Sequence, residues 1–386
     1  MSDYIPFYRP NMGKEEVESV TESIESGWLT TGKKVKEFQE RFSDFIGVKH
    51  SLAVNSCTAG LHLLLVSAGI GEGDEVITTS MTFVSTVNVI EETGATAILA
   101  DINPKTFNID VEDIKNKITK NTKAIMPVHM AGQACKMNEI MEIAKEHDLY
   151  VFEDAAHAVW SKYDDEMIGS FTDGAAFSFY ATKNLCTGEG GMVTTNNDEL
   201  AEKIKINTLH GISKDVYDRY SKKGASWYYD VVTPGFKYNM PDINAAMGIE
   251  QLKKLDDMQM KRKKIAQKYN EAFKEIDGIQ IPHVKDDIRH AWHLYIVLLD
   301  LDVLDINRDE FIEKLEENGI GSSVHFIPIH YHKYYRENYD YQRGDFPNTE
   351  YVFERNISLP FYPSMAEKEI ETVISTVKTL IKDYSK

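Results

Sequence analysis

The stretch Ser178–Gly191, SFYATKNLCTGEGG, places one lysine between an apolar run and a turn that holds three glycines. The residues that lead into it, GAAFSFY over 174–180, predict an internal strand. Glycines directly after a strand allow the backbone to approach another backbone or a small ligand closely. Lys183 is therefore either a surface lysine on a turn or a cation that a functional site requires.

Strands and helices alternate through the first half of the chain. Stretches with helical spacing separate most of its apolar, strand-like runs, which are SLAV (51–54), EVITT (75–79), ATAILAD (95–101), TKAIMPVHM (122–130) and LYVFEDAA (149–156). This alternation predicts βαβ units and an α/β fold, with helices on both faces of a mostly parallel sheet. Ligands of such sheets bind at the carboxyl ends of the strands.

Helical patterns are also found on either side of this region. The N-terminal one has apolar residues at helical spacing, namely Val17, Val20 and Ile24. A long pattern from about Asp242 to Ile276 predicts a helix that connects to a smaller α+β region. We therefore predict a large domain over residues 1–250, and a long connecting helix with a small C-terminal domain over residues 251–386.

The composition is that of a globular protein with an excess of acidic residues. Its 386 residues are 42% apolar, which is enough for a large core and two domains. The formal charge of −18, from 43 basic and 61 acidic residues, argues against nucleic acid or an anionic membrane as a partner. Three separated cysteines and the lack of an apolar run of membrane-spanning length lead us to expect a cytoplasmic protein without disulfides or a metal site.

Two further positions are candidates for ligand binding. Asp154 ends the apolar strand LYVFED, although an acid at a strand end is often a helix cap or a solvated turn residue. Ser56, Cys57 and Thr58 would open a helix directly after the strand SLAV. Free backbone N–H groups at such a helix start can bind an anion, and a plain N-cap is the alternative.

The order of these features along the chain matches the parts of one cofactor. A helix start can bind a phosphate, an aromatic side chain can stack on a ring, an acid can pair with a ring nitrogen, and an amine can react with an aldehyde. The cofactor that combines these groups is pyridoxal phosphate. We therefore predict a pyridoxal phosphate site that includes Lys183 and Asp154.

Several motifs extend this prediction to nearly the whole chain, and they are ESGWLTTG, EDAAHA, FSFYATKNLCTGEGG, TPGFKYNMPDINAA, HAWHL and KYYRE. They resemble those of the DegT/DnrJ/EryC1/StrS family of sugar aminotransferases. The resemblance implies fold type I of the pyridoxal phosphate enzymes. That fold has a large domain with a mostly parallel seven-stranded sheet, and a smaller C-terminal α+β domain.

The resemblance also implies roles for individual residues. Lys183 would bond to the cofactor and then move a proton between substrate and cofactor, and Asp154 would stay ionised against the ring nitrogen. Asn239 would reach the cofactor of the neighbouring subunit, which implies a homodimer with shared active sites. The further cofactor contacts that it implies are Cys57, Thr58, Phe83, His157 and Ser178.

The substrate implied by the resemblance is a UDP-linked 4-keto-sugar, either a pentose or a 6-deoxyhexose, with L-glutamate as amino donor. The alternatives are a dTDP-linked 3- or 4-keto-deoxysugar, a dehydratase of the same fold, and a protein that is not catalytic; a retained Lys183 argues against the last two. The implied substrate contacts are Thr30, Thr31, His325 and His330. Each histidine could instead be structural, because its segment is rich in aromatic residues.

Overall fold

The computed structural model describes residues 4–212, 229–285 and 287–386. In these ranges the strands are β1 His50–Val54, β2 Glu75–Thr79, β3 Thr96–Ala100, β4 Thr122–Met126, β5 Tyr150–Asp154, β6 Lys162–Tyr163, β7 Glu166–Met167, β8 Gly174–Ser178, β9 Gly191–Thr195, β10 Ile279–Gln280, β11 Ile288–Arg289, β12 Tyr295–Leu299 and β13 Asn356–Leu359. The helices are α1 Lys14–Glu25, α2 Lys33–Ile46, α3 Cys57–Ala68, α4 Val84–Glu92, α5 Val111–Lys117, α6 Met137–His147, α7 Asp198–Thr208, α8 Asp242–Lys253, α9 Leu255–Phe273, α10 Arg308–Glu317, α11 Lys333–Tyr339, α12 Pro347–Phe353 and α13 Glu367–Asp383.

The central sheet has seven strands in the order β1-β9-β8-β5-β4-β2-β3. Neighbouring strands from β3 to β8 are parallel, and β9 is antiparallel to both β8 and β1. The predicted α/β fold with a mostly parallel seven-stranded sheet is therefore confirmed. Because β1, β5 and β8 run in the same direction, their last residues Val54, Asp154 and Ser178 lie along one edge of the sheet.

Helices cover both faces of this sheet, as the βαβ pattern requires. On one face, Phe38 and Phe42 of α2 are fully buried, and the Phe42 ring contacts Phe177 of β8 and Phe179 at centroid distances of 5.2 and 5.6 Å. On the other face, α3 is apolar on nearly all sides and packs against the sheet. Gly60 permits this contact, because a Cβ there would lie only 3.0–3.1 Å from side-chain carbons of β8 and β9.

A second, smaller sheet follows in the order β10-β12-β13. Its strands belong to a separate apolar cluster with the second half of α9, α10 and α13, and Ile5 from the N-terminus joins that cluster. Leu255 and Met258, at the start of α9, still belong to the cluster of the large sheet. The domain boundary at residue 250 stays a prediction.

The predicted long helix is divided in the structure. Lys254 leaves helical geometry, with φ −105° and ψ 7°, and so separates α8 from α9. Its amine pairs with the buried carboxylate of Glu16 at 2.5 Å. The break separates a helix that packs on α1 from one whose second half joins the second cluster, and the periodicity did not indicate it.

Helix α1 is present as predicted, but its apolar residues do not form its buried face. Val17 and Ile24 are 65% and 55% exposed. The buried side instead contains Glu16, Ser19 and Ser23. Small serines allow α1 to approach α8 closely, and the Ser19 hydroxyl donates to the carbonyl of Ala246 at 3.2 Å.

Within the described ranges, none of the helices combines the length and the apolar character needed to cross a lipid bilayer.

The packing of α2 predicts a stability difference between two identical substitutions. Phe42→Ala should lower the free energy of unfolding by about 3–5 kcal/mol, because it leaves a cavity between α2 and the sheet. Phe45→Ala, on the same helix but with a partly exposed ring, should lower it by about half as much. Equilibrium urea unfolding at equal protein and cofactor concentrations measures both values. Equal losses for the two variants would contradict this account of the core.

Candidate active site

A cavity of about 530 Å³ lies at the carboxyl edge of the large sheet. One wall comes from the ends of β1, β5 and β8, and the other from segments beside the small sheet. The predicted site residues that line it are Cys57, Thr58, Phe83, Asp154, His157, Ser178, Lys183 and His325. Residues up to 268 positions apart in the sequence thus converge on one space.

Lys183 lies on the turn after β8, where its N–H donates to the carbonyl of Tyr180 at 2.9 Å. Burial lowers the pKa of its amine to about 8, against the opposing effects of Asp154 and Cys57. At pH 7 such a pKa leaves about a tenth of the amines neutral, against fewer than one in a thousand for an ordinary lysine with a pKa of about 10.4. The site therefore favours a nucleophilic lysine.

At two positions of this turn the structure requires a glycine. Gly188 has φ +80°, a conformation that residues with a Cβ rarely adopt. Gly191 begins β9 directly beside the start of α3, and a Cβ there would lie 2.6 Å from the carbonyl carbon of Ser56 and 2.7 Å from the nitrogen of Cys57. The glycines after Lys183 thus allow β9 to lie against the start of α3.

The start of α3 has the properties of an anion site. Ser56 is its N-cap and accepts the N–H of Ala59 at 3.1 Å. The N–H groups of Cys57 and Thr58 belong to the first helical turn, so the helix supplies no carbonyl for them, and its positive dipole end favours a negative ligand. Ser178 lines the same cavity as Cys57 and Thr58. This combination suits a phosphate group.

Strand β5 directs two consecutive acids to opposite faces of the sheet, as the alternation of a strand requires. Glu153 points away from the cavity and accepts hydrogen bonds from His129 Nε2 at 2.8 Å and from the Thr172 hydroxyl at 2.6 Å. Asp154 faces the cavity, 4% exposed. Only Asp154 can therefore meet a ligand.

The carboxylate of Asp154 is held from both sides. The Thr86 hydroxyl donates to Oδ2 at 2.8 Å and the Ala156 N–H donates to Oδ1 at 3.1 Å. Burial raises the pKa of Asp154, and these two hydrogen bonds and the Lys183 charge counteract that rise. A ring N–H that approached Asp154 would supply a partner for this buried charge. Thr86 was not predicted from the sequence.

His157 has a defined tautomer. Its Nδ1 accepts the N–H of Ala131 at 3.3 Å, so a neutral ring carries its proton on Nε2. Burial, followed by the charge of Lys183, lowers the pKa of His157 well below its usual value. The ring is therefore a neutral hydrogen-bond donor beside the cavity.

Other residues of the cavity come from parts of the chain that the sequence did not connect with the site. Phe7 and Tyr8 are near the N-terminus, Phe326 follows the predicted His325, and Phe361 follows β13. Phe7 stacks on His325 at 5.6 Å, and Phe326 stacks on His157 at 5.9 Å. The motif PFYRP was the available signal for the first two, but nothing in it indicates which part of the fold it contacts.

His293 also lines the cavity and is 5% exposed. His290, three residues earlier, is equally buried but does not line the cavity, and burial lowers its pKa to about 3.

Four predicted residues do not line this cavity. Thr31 and Asn239 form a separate cluster, in which the Asn239 amide donates to the Thr31 hydroxyl at 2.7 Å, and the carbonyl of Thr30 accepts the N–H of Asp242 at 3.3 Å. His330 is fully buried and contacts Glu350 at 3.0 Å. The expectation that His330 contacts the substrate is therefore corrected, and its position agrees with the structural alternative.

The residues present fit pyridoxal phosphate. The start of α3 suits its phosphate, the buried carboxylate of Asp154 suits its ring nitrogen, and the amine of Lys183 suits its aldehyde. These three groups lie on the ends of β1, β5 and β8, and they line one cavity.

Comparison with known proteins gives the same result. The model of the DegT/DnrJ/EryC1/StrS aminotransferase family matches residues 10–378. The chain is 52% identical over 380 residues to the spore coat polysaccharide biosynthesis protein SpsC of Bacillus subtilis, covering 98% of this chain and 97% of that protein.

Two solved structures extend the comparison to the fold. The putative sugar aminotransferase Spr1654 from Streptococcus pneumoniae, in its PMP form, superimposes with a TM-score of 0.92 at 33% identity, covering 98% of this chain and 99% of that one. PseC of Helicobacter pylori, described as an aminotransferase of pseudoaminic acid biosynthesis, has a TM-score of 0.91 at 30% identity, with 99% and 100% covered. The chain therefore belongs to the DegT/DnrJ/EryC1/StrS aminotransferase family, and it is an aminotransferase that uses pyridoxal phosphate.

Proposed function

We propose that the protein transfers the amino group of L-glutamate to C4 of a UDP-linked 4-keto-sugar, and that the UDP-4-amino-sugar is used to build a cell-surface glycan. The observation that carries this proposal is the meeting of Lys183, Asp154 and the start of α3 in one cavity. SpsC is named for polysaccharide biosynthesis and Spr1654 is described as a putative sugar aminotransferase, which supports a sugar as the amino acceptor.

In this proposal each polar residue has one task. Pyridoxal phosphate, when bound, withdraws electrons from the carbon that carries the amino group and so makes its proton acidic. Lys183, whose pKa is lowered to about 8, can accept that proton near neutral pH and return it at another position. Asp154 would hold the ring nitrogen protonated, and the Nε2–H of His157 would donate to an oxygen of the cofactor.

The walls of the cavity suit a sugar. The described residues that line it include several aromatic rings, among them Phe7, Phe83 and Phe326. Aromatic rings can stack on the apolar faces of a sugar. Phe83 and Tyr180 are 57% and 46% exposed, so the cavity opens to the surface beside them.

The proposal includes a homodimer with shared sites. Asn239 and Thr31 are hydrogen-bonded to each other outside the cavity of their own chain. Exposed apolar side chains, including Phe83, Tyr180 and Ile327, offer a surface that a second copy could cover. In a dimer, Asn239 of each chain would then reach the phosphate in the other chain's cavity.

The role of Asp154 predicts a large loss of turnover in Asp154→Asn. The substitution keeps the size of the side chain but removes the charge that would hold the ring nitrogen protonated. We expect turnover to fall by several orders of magnitude while cofactor content, measured by absorbance, changes little. A loss below about tenfold, equivalent to roughly 1.4 kcal/mol of barrier, would contradict the role. Asp173→Asn is the control, because it removes a partly buried carboxylate that holds the Val151 N–H at the opposite end of β5.

The proposed reaction predicts two half-reactions at one site. Glutamate alone should bleach the visible absorbance of the holoenzyme and release one 2-oxoglutarate per site, and a UDP-linked 4-keto-sugar should then restore the absorbance. Borohydride should attach the cofactor to the peptide that contains Lys183, and Lys183→Ala should show neither half-reaction. Restoration by dTDP-linked sugars alone would favour the dTDP alternative. Restoration only by a 2-oxo acid other than 2-oxoglutarate would contradict a sugar acceptor.

The shared site predicts complementation between two inactive variants. Lys183→Ala and Asn239→Ala should each lose most activity, and mixing them after mild unfolding should recover about a quarter of wild-type turnover, because half of the dimers then contain one intact site. Refolding each variant alone is the control. If both residues acted within one chain, the mixture would stay inactive.

A further inference from the structure

The turn that carries Lys183 is held from two distant parts of the chain, and neither contact is part of the function proposed above. We propose that Asn184 and Tyr8 are positioning residues for Lys183, which hold its backbone so that the amine stays inside the cavity. The inference rests on the proposed role of Lys183 as the cofactor lysine.

Asn184 uses both groups of its amide. Its Nδ2 donates to the carbonyl of Ala291 at 2.7 Å, and this orientation leaves Oδ1 to accept from His293 Nδ1 at 3.1 Å. The side chain is 4% exposed, so loss of either bond would leave a buried polar group without its partner. Asn184 therefore fastens the residue after Lys183 to the segment 291–293.

The segment 291–293 is itself held in place by Arg262 of α9. Arg262 Nη1 donates to the carbonyls of Trp292, His293 and Phe361 at 3.2–3.3 Å. Arg262 is 1% exposed, and burial lowers its pKa to about 10. Movement of the segment would remove the acceptors of a buried cation, which is strongly unfavourable. The contact at Asn184 therefore fixes the lysine relative to α9 and the small sheet.

Tyr8 supplies the second contact, which is made to the backbone carbonyl of Lys183 itself. Its hydroxyl donates to the carbonyl oxygen of Lys183 at 3.3 Å. The N-terminal segment is itself held, because Phe361 N–H donates to the carbonyl of Phe7 at 3.3 Å and the Ile5 N–H donates to the carbonyl of Gly319 at 2.8 Å. Lys183 and Asn184 are therefore held by two segments that do not belong to the large sheet.

The expected consequence concerns the environment of the amine. Asp154 and Cys57 raise the pKa of Lys183, and the buried rings of His157 and His293 line the same cavity together with the partly buried ring of His325. Burial outweighs the effects of Asp154 and Cys57 and lowers the pKa of Lys183 to about 8. A loosened turn would let the amine reach water, so its pKa would rise towards the ordinary value.

The test measures the amine in the apoprotein, so it does not depend on catalysis. After the cofactor is removed with hydroxylamine, formaldehyde and cyanoborohydride methylate neutral amines, and mass spectrometry of the Lys183 peptide gives the rate at each pH. The wild-type profile should reach half its maximum near pH 8. In Asn184→Ala the midpoint should rise by about one unit. Tyr8→Phe, which loses only the hydroxyl, should shift it in the same direction by less.

Asn244→Ala is the matched control. The Asn244 amide donates to the carbonyls of Thr187 and Glu189, so it holds the glycine end of the same turn and not the lysine end. Its profile should coincide with that of the wild type. In the holoenzymes, Asn184→Ala should lower kcat about tenfold or more with little change in KM for glutamate, because the amine is displaced while the substrate surfaces remain.

Two outcomes would overturn the inference. One is a wild-type profile in Asn184→Ala and Tyr8→Phe; if Asn184→Ala does not fold, a wild-type profile in Tyr8→Phe decides alone. The other is an equal shift in Asn244→Ala, which would indicate general loosening of the turn. Failure of the proposed role of Lys183 is distinguishable, because borohydride would then label a lysine other than Lys183 while the methylation profiles still report the contacts.

Discussion

Burial of the Lys183 amine beside the carboxylate of Asp154 is the interaction on which the rest of the site depends. A cation that leaves water loses favourable hydration, and burial alone lowers the pKa of Lys183. Burial also disfavours the charged form of Asp154 and therefore raises its pKa. The Coulombic attraction between the two charges lessens the cost of burying each of them in the same cavity.

The parallel sheet is what brings this pair to the start of α3. Because β1, β5 and β8 run in one direction, their carboxyl ends form a single edge, and the turn or helix after each strand begins there. Strand β9 runs the other way between β1 and β8, and its first residue touches the start of α3. Gly191 is required at that contact because a side chain would collide with the backbone of Ser56 and Cys57.

The second wall of the cavity is built from neutral rings. Burial lowers the pKa values of His157, His293 and His325, and the nearby charge of Lys183 lowers them further. These histidines can therefore donate or accept hydrogen bonds without adding positive charge. In a chain with a formal charge of −18, the binding of an anionic cofactor then depends on the local amine and on backbone N–H groups.

The sequence by itself determined the fold class and indicated the centre of the candidate site. Alternating strands and helices predicted the parallel sheet, and Lys183 and Asp154 were recognisable because each lies at a strand end, where local pattern and position on the sheet coincide. Local sequence patterns failed where packing between distant segments determines the structure. They could not show that α1 turns its serines inwards, or that Lys254 ends a helix.

Only the tertiary structure decided which distant residues support the site. Tyr8, Thr86 and Arg262 have no periodicity or motif that links them to Lys183, and each acts through a hydrogen bond to a group that is near it only after folding. Asn184 follows Lys183 directly, but its partners Ala291 and His293 are near it only in the folded chain. His330 shows the reverse case, since its position near a site motif did not bring it to the cavity. A sequence pattern predicts which face of a single helix or strand is buried. The contacts between distant segments depend instead on how whole helices and strands pack against each other.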